Sequence, residues 1–395
     1  MTGDWERWLG EARARRKQER LERRLLVTES PAEPVARRGG RSMVNLSTNN
    51  YLGLAGHPAL VEAAKRGAER GAGAGSSRLV AGHDPAYAAL EERLADFKGT
   101  EAALVFGSGY LANVGLLAAL LDRESVVLSD ELNHASIVDG VRLSGAEKRV
   151  YRHGDLDHLE TLLREAAPGR RKLVVTDTVF SMDGDVAPLA GIVELTERYG
   201  AALVVDEAHG GGVFGPHGEG YAHELGLAGL VDLDMGTFSK AFGVYGAYVA
   251  GSRAWIEHLV STCRTLIYST ALPPSVVSAI DASLDLVRDG GELRRALREK
   301  SERFRGRLRE LGFDTGASST QIVPVLAGSN ERALVMARAL EELGILSVAI
   351  RPPTVPQGTA RIRFSLMATH GDAELGCALA AIEKAARRSA VIPPS

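Results

Sequence analysis

Cysteine is scarce in this chain: Cys263 and Cys377 stand far apart in sequence and form no CxxC pair, which argues against a disulfide framework or a cysteine-based zinc site. A surplus of positive charge is also missing. With 47 basic and 50 acidic residues the formal net charge is −3, so there is no overall basic field for gripping a nucleic-acid backbone. No apolar run reaches the length of a membrane span. The amino-terminal "MTGDWERWLGEARARRKQERLERRLL" lacks the apolar core of a secretory signal, and Glu6, Glu11, Glu19 and Glu22 argue against a transit peptide. No Gly-Lys dipeptide occurs anywhere, so the GxxxxGK[ST] phosphate loop that an ATPase would need beside the "DEAH" of residues 206–209 is absent. These absences leave a cytoplasmic protein without metal, membrane or nucleic-acid partner as the expectation.

What is present is ordinary globular material: 395 residues, 45% hydrophobic, enough for a large core and more than one domain. The first residues read as a charged helix lying on the body of the protein, followed by "ESPAEPVARRGGRS" (29–42) as a loop or linker. Strand-like runs "AALVF" (102–106), "SVVLS" (125–129), "KLVVTDTVF" (172–180), "AALVVD" (201–206) and "GAYVAG" (246–251) then alternate with amphipathic stretches such as "YLANVGLLAALLD" and "LAGIVELTERYG". Such alternation predicts an α/β fold with a largely parallel sheet. The pattern later changes to long helix and a shorter α+β region. The expected organisation is therefore residues 1–44 as helix and linker, 45–284 as a large domain and 285–395 as a small carboxy-terminal domain.

Of the eight lysines only Lys240, in "DLDMGTFSKAFG", has no charged residue within three positions. A lysine held in a drier pocket can act as nucleophile or base. Gly107-Ser108-Gly109 in "ALVFGSGYLAN" sits between a strand and a helix, where free backbone amides can hold a phosphate. Ala112 completes a GxGxxA pattern and Asp130 follows about 20 residues on, so a nicotinamide dehydrogenase competes for that stretch. Asp206 ends an apolar strand in "ALVVDEAHG", and a buried carboxylate there calls for a cationic partner. Phosphate cradle, strand-end carboxylate and isolated lysine are together the parts of a pyridoxal phosphate site, with Asp206 facing the ring nitrogen. Thr237 and Ser239 offer hydroxyls to the phosphate, His134 in "SDELNHASIVDG" offers a ring to stack on the cofactor, and His209 and Ser181 can reach a phenolate oxygen. Arg361 and Arg363 share one strand face near Arg351 and Thr354, where a guanidinium could clamp a substrate carboxylate.

"NNYLGL", "GSSRLVAG", "LNHASIVDG", "VFSMDGD", "VDEAHG", "GTFSKAFG", "YSTALPP" and "IRPPTVPQGTARIR" occur in this order, and with them the chain resembles the α-oxoamine synthases from about residue 10 to 385. The resemblance implies the aspartate aminotransferase-like fold type I of pyridoxal phosphate transferases, with a mostly parallel large domain and a smaller α+β carboxy-terminal domain. It implies that Lys240 holds pyridoxal 5'-phosphate, Asp206 pairs with the ring nitrogen, His134 stacks on the ring, and His209 and Ser181 serve the phenolic oxygen. By the same resemblance Ser108, Gly109, Tyr110 and Thr237 hold the phosphate, Asn49 and Arg363 the substrate carboxylate, and Thr354 lies at the acyl site. Arg23 falls near an arginine that meets the far carboxylate of the acyl chain. The family forms homodimers, and Ser269 and Thr270 would reach the partner's phosphate. "IRPPTVP" and "FSMDGDVAPL" are most similar to the branch that joins L-alanine to a pimeloyl thioester of CoA or of an acyl carrier protein in biotin synthesis. Tyr87 and Gly211 depart from residues common in that branch, histidine and threonine, at positions that bear on acyl-chain preference.

Overall fold

All five apolar runs become strands of one seven-stranded sheet: β1 (Ala102–Phe106), β2 (Ser125–Asp130), β3 (Glu147–Tyr151), β4 (Arg171–Asp177), β5 (Ala202–Asp206), β6 (Leu233–Thr237) and β7 (Ala247–Gly251). The computed structural model describes residues 3–30 and 32–391. The sheet order is β1-β7-β6-β5-β4-β2-β3, with β7 alone antiparallel to its neighbours. Successive residues of a strand point to opposite faces, and here both faces are covered. Val127, Leu173 and Val204 pack on one side with Leu116 and Leu117, whereas Val126, Val174 and Leu203 pack on the other with Leu159 and Ile192. Hence the strands read as unbroken apolar runs.

Two strands escaped the sequence reading. β3, "EKRVY", is an edge strand with a half-exposed, charged pattern and no apolar run to betray it. β6, "LDMGT", carries Asp234 and Gly236 inside a fully buried strand. Gly236 is required there, because a Cβ would stand 2.3 Å from the Tyr248 ring of β7.

By its internal contacts the chain divides into two units, one of Asn49–Ser181 with Asp185–Arg298, the other of Met1–Thr48, Met182–Gly184 and Glu299–Ser395. The first holds the seven-stranded sheet. In the second, Ala360–Ser365 lies between Ile322–Gly328 and Val348–Ile350, and the helices Asn330–Glu342 and Asp372–Ser389 pack together. The stretch 29–42, expected as a linker, instead forms most of a hairpin, Val35–Arg38 with Arg41–Asn45. Gly39 and Gly40 adopt φ of 56° and 74°, the two left-handed positions that a tight two-residue hairpin turn demands. The amino-terminal helix is present as Gly3–Gln18, but only Ala12 on it is buried, and Trp5 and Trp8 pack edge to face on one another. Among the described residues no helix is long and apolar enough to cross a membrane.

Candidate active site

Parallel strands deliver their carboxyl ends to one edge of the sheet, where open α/β folds bind ligands. At that edge a cavity of about 180 Å³ opens among residues following β1, β2, β5 and β6. Ser108, Gly109, Tyr110, His134, Asp206, His209, Thr237 and Lys240, distant in sequence, all line it.

One wall is the start of helix α1 (Gly109–Leu120). Ser108 caps it by accepting from Leu111 N at 3.2 Å, while the amides of Gly109 and Tyr110 meet no protein acceptor among the described residues. These are the first-turn donors that a helix leaves unsatisfied, and they suit an anion. Opposite them, Thr237 Oγ1 lies 2.7 Å from Ser239 Oγ and donates to Gly246 O at 2.9 Å.

Asp206 closes β5 and is 3% exposed. Its Oδ1 accepts from Ala208 N at 2.8 Å and its Oδ2 from Asn113 Nδ2 at 2.7 Å. Asp177 is its register partner on β4 and also lines the cavity. Burial first, and then the Asp206 charge, raises the Asp177 carboxyl well above the usual carboxylate range. His134 is open toward the cavity mouth, yet enough of the ring is desolvated to lower its pKa, with Lys240 adding to that effect and Asp206 opposing it. His209 Nδ1 lies 2.7 Å from the Tyr51 hydroxyl, which also donates to Asn49 Oδ1 at 3.2 Å.

The other predicted positions are not among the residues lining this cavity. Ser181 is outside the cavity lining, and Ser269 and Thr270 line a separate small crevice, where Thr270 bridges Ser77 of the Gly-rich loop. Arg23, Thr354 and Arg363 belong to the other unit, in which Arg23 donates to Thr354 Oγ1 at 3.3 Å. Arg361, the strand-mate of Arg363, is already engaged with Asp183 and with Met182 O. Asn113, Tyr51 and Asp177 were not anticipated. Asn113 could have been found as the residue one helical turn beyond Gly109, but the other two depend on strand register and chain reversal.

Asp130, the residue a dinucleotide fold would turn toward a ribose, is consumed by the protein. It accepts from Leu132 N and Gly154 N and faces His153. His153 Nδ1 lies 3.0 Å from Asp130 Oδ1, and Nε2 lies 2.7 Å from Asp185 Oδ2. Burial alone would lower this imidazole's pKa, but the two carboxylates outweigh it and raise it from 6.5 to about 10. A raised histidine stabilises the fold fully below its unfolded value and loses that effect as pH climbs through the folded one. The expected result in paired urea titrations is that the advantage of wild type over His153→Gln is largest near pH 6 and fades toward about pH 10. An advantage that grows over that range would contradict the assignment.

The lining fits a phosphorylated pyridine aldehyde: free helix-start amides for the phosphate, a fixed carboxylate for the ring nitrogen, and an amine for the aldehyde. Comparison with known proteins agrees. The profile of the family Aminotransferase class I and II matches residues 41–382. A Geobacillus kaustophilus protein provisionally named 8-amino-7-oxononanoate synthase is 52% identical over 355 residues, 89% of this chain and 91% of that one. The solved serine palmitoyltransferase from S. paucimobilis, with bound PLP and myriocin, superposes at a TM-score of 0.93 with 33% identity over 99% of this chain and 100% of that one. A Francisella tularensis 8-amino-7-oxononanoate synthase gives 0.75 and 26% over 87% and 97%. With these motifs, this fold type I architecture and this cavity, the chain belongs to the aminotransferase class I and II family and, within it, to the α-oxoamine synthases, enzymes whose cofactor is pyridoxal 5'-phosphate.

Proposed function

We propose that the enzyme condenses L-alanine with a pimeloyl thioester, of CoA or of an acyl carrier protein, to give 8-amino-7-oxononanoate, carbon dioxide and the free thiol. The observation that carries the reading is the gathering of Lys240, Asp206 and the free amides of Gly109 and Tyr110 in one cavity. The choice of substrates follows the names of the relatives that are about half identical to the chain.

When bound, pyridoxal phosphate supplies a sink for the negative charge that develops on the amino acid's α-carbon. Asp206, held by two donors, keeps a proton on the ring nitrogen so that the sink stays open. The amides of Gly109 and Tyr110, with Thr237, hold the phosphate. Lys240 Nζ would hold the cofactor aldehyde and, as the base nearest the reacting carbon, would take the α-proton and later return one to the same carbon. His134 would stack on the ring and His209, oriented through Tyr51, would serve the phenolic oxygen, whereas Ser181, outside the cavity lining, carries that role by resemblance alone. Asn49, Arg363, Thr354 and Arg23 carry substrate-binding roles by resemblance of their segments to the family's. A cytoplasmic homodimer, with Ser269 and Thr270 turned toward the partner's phosphate, belongs to the same proposal.

The test is to offer alanine, glycine and serine with pimeloyl-CoA and with the pimeloyl carrier protein, following the aminoketone by mass spectrometry. Alanine should exceed glycine by at least ~10-fold in kcat/KM, the selectivity that one methyl group provides. Productive turnover with serine or glycine alone would move the chain to another branch of the family.

A further inference from the structure

One of the two donors that fix Asp206 is a buried amide that makes a second hydrogen bond. Asn113 is 2% exposed, and its Nδ2 donates in two directions, 2.7 Å to Asp206 Oδ2 and 2.9 Å to Ser136 Oγ. Its orientation follows from chemistry, because an ionised carboxylate only accepts and so must face the NH2 side of the amide. Ser136 belongs to helix α2 (Ala135–Ser144) and is fully buried. The two helices can meet here because Gly140, one turn further along α2, has no side chain: a Cβ would lie 2.8 Å from Asn113 O and 3.1 Å from Val114 Cα.

Ser136 meets the helix-capping His134 twice. Its backbone N–H donates to His134 Nδ1 at 3.3 Å, which makes Nδ1 an acceptor, and its Oγ lies 2.7 Å from the same atom. Since Asn113 already donates to that oxygen, the hydroxyl proton is directed onto Nδ1 as well. Two donors on Nδ1 leave the ring's own proton on Nε2. At the other end of the residue, the backbone N–H of His134 donates to Asp177 Oδ2 at 2.9 Å and anchors the ring's starting point.

The geometry points to Asn113 as a positioning residue that joins Asp206 to His134 through Ser136 and holds the His134 ring neutral, with its proton on Nε2. The titratable groups facing the residue are Asp177 at the end of β4, which accepts from its backbone N–H, and Asp206 at the end of β5 and Lys240 beyond β6, which act on the ring by charge. Desolvation and Lys240 oppose protonation of the ring while Asp206 favours it, and the net direction is downward, in keeping with a neutral ring. His134 therefore presents a donor, never an acceptor, to a group placed against Nε2 across the neutral pH range. The same amide that fixes the carboxylate partner of the cofactor ring thereby fixes the polarity of the ring that stacks on it.

This inference concerns the cofactor cavity, so it stands or falls separately from the identity of the amino acid or acyl donor. The test is imidazole 1H–15N NMR of the full-length holoenzyme, with the His134 signals identified by their loss in His134→Gln. Wild type should show the Nε2–H form throughout the neutral range. Ser136→Ala and Asn113→Ala should each admit the other tautomer and raise the ring's protonation midpoint by at least ~0.5 unit. Ser136→Thr, which keeps the hydroxyl, should restore the wild-type pattern and so separates the relay from packing. Wild type in the Nδ1–H form overturns the proposal without recourse to any variant. So does a Ser136→Ala or Asn113→Ala protein whose tautomer and midpoint match wild type, and if Asn113→Ala fails to fold the other two measurements still decide.

Discussion

Lys240→Ala is expected to reduce condensation by roughly 10³-fold or more while leaving the fold intact. Removing the only group assigned to move the α-proton costs at least what general acid–base catalysis contributes, ~10²–10⁴-fold, and the anchor for the cofactor aldehyde goes with it. The fold should survive because Lys240 sits half-exposed on a turn after β6 and fills no core position. Product formation measured by mass spectrometry, with thermal unfolding as the control for folding, checks both halves. Turnover within tenfold of wild type, in the absence of added amine, would assign the proton transfer to another group.

The second large effect is on stability, and its origin is a lysine that sequence inspection passes over. Lys98 closes the helix Pro85–Lys98, its side chain is fully buried, and Nζ lies 2.6 Å from Asp234 Oδ2 while also donating to Glu219 O. Burial works against the ammonium, but Asp234 first, then Tyr248 and Glu207, hold its pKa above the ordinary lysine range. Glu207 in turn is pushed upward by burial and by the Asp234 charge, with Lys98 opposing. Lys98→Ala should therefore destabilise the protein by about 3–5 kcal/mol, the cost of leaving a buried charge without its partner. Urea unfolding would measure it. Lys98→Met combined with Asp234→Asn should recover most of that loss, since neither residue then carries a charge. A single substitution costing under ~1 kcal/mol would show that water already reaches the pair.

How much of this was legible in the sequence depends on which interaction decided each element. β1, β2, β4, β5 and β7 could be read because a strand buried on both faces has to be apolar throughout. β6 could not, since Asp234 is tolerated only through Lys98, which lies over a hundred residues earlier, and Gly236 only through the Tyr248 ring. Within 29–42, the first hairpin strand and its turn read as loop or linker, because their Gly-Gly pair marks a flexible tract and a tight turn equally well. In the cavity, Lys240, Asp206, His134 and His209 announced themselves by residue type and by position at strand ends. Asn113 and Asp177 did not, because their meaning lies in a helix-to-strand contact and in a cross-strand register that no local pattern encodes.

The division of the chain also has a consequence for its birth on the ribosome. The unit that carries Lys240 is complete once Arg298 has emerged, and domains generally fold as they are synthesised. Met1–Thr48, by contrast, shares a unit with Glu299–Ser395, so that segment must wait for a partner synthesised about 250 residues later. Translation that stops after Arg298 would release a finished sheet together with an amino-terminal tail that lacks its companions, a natural substrate for chaperones.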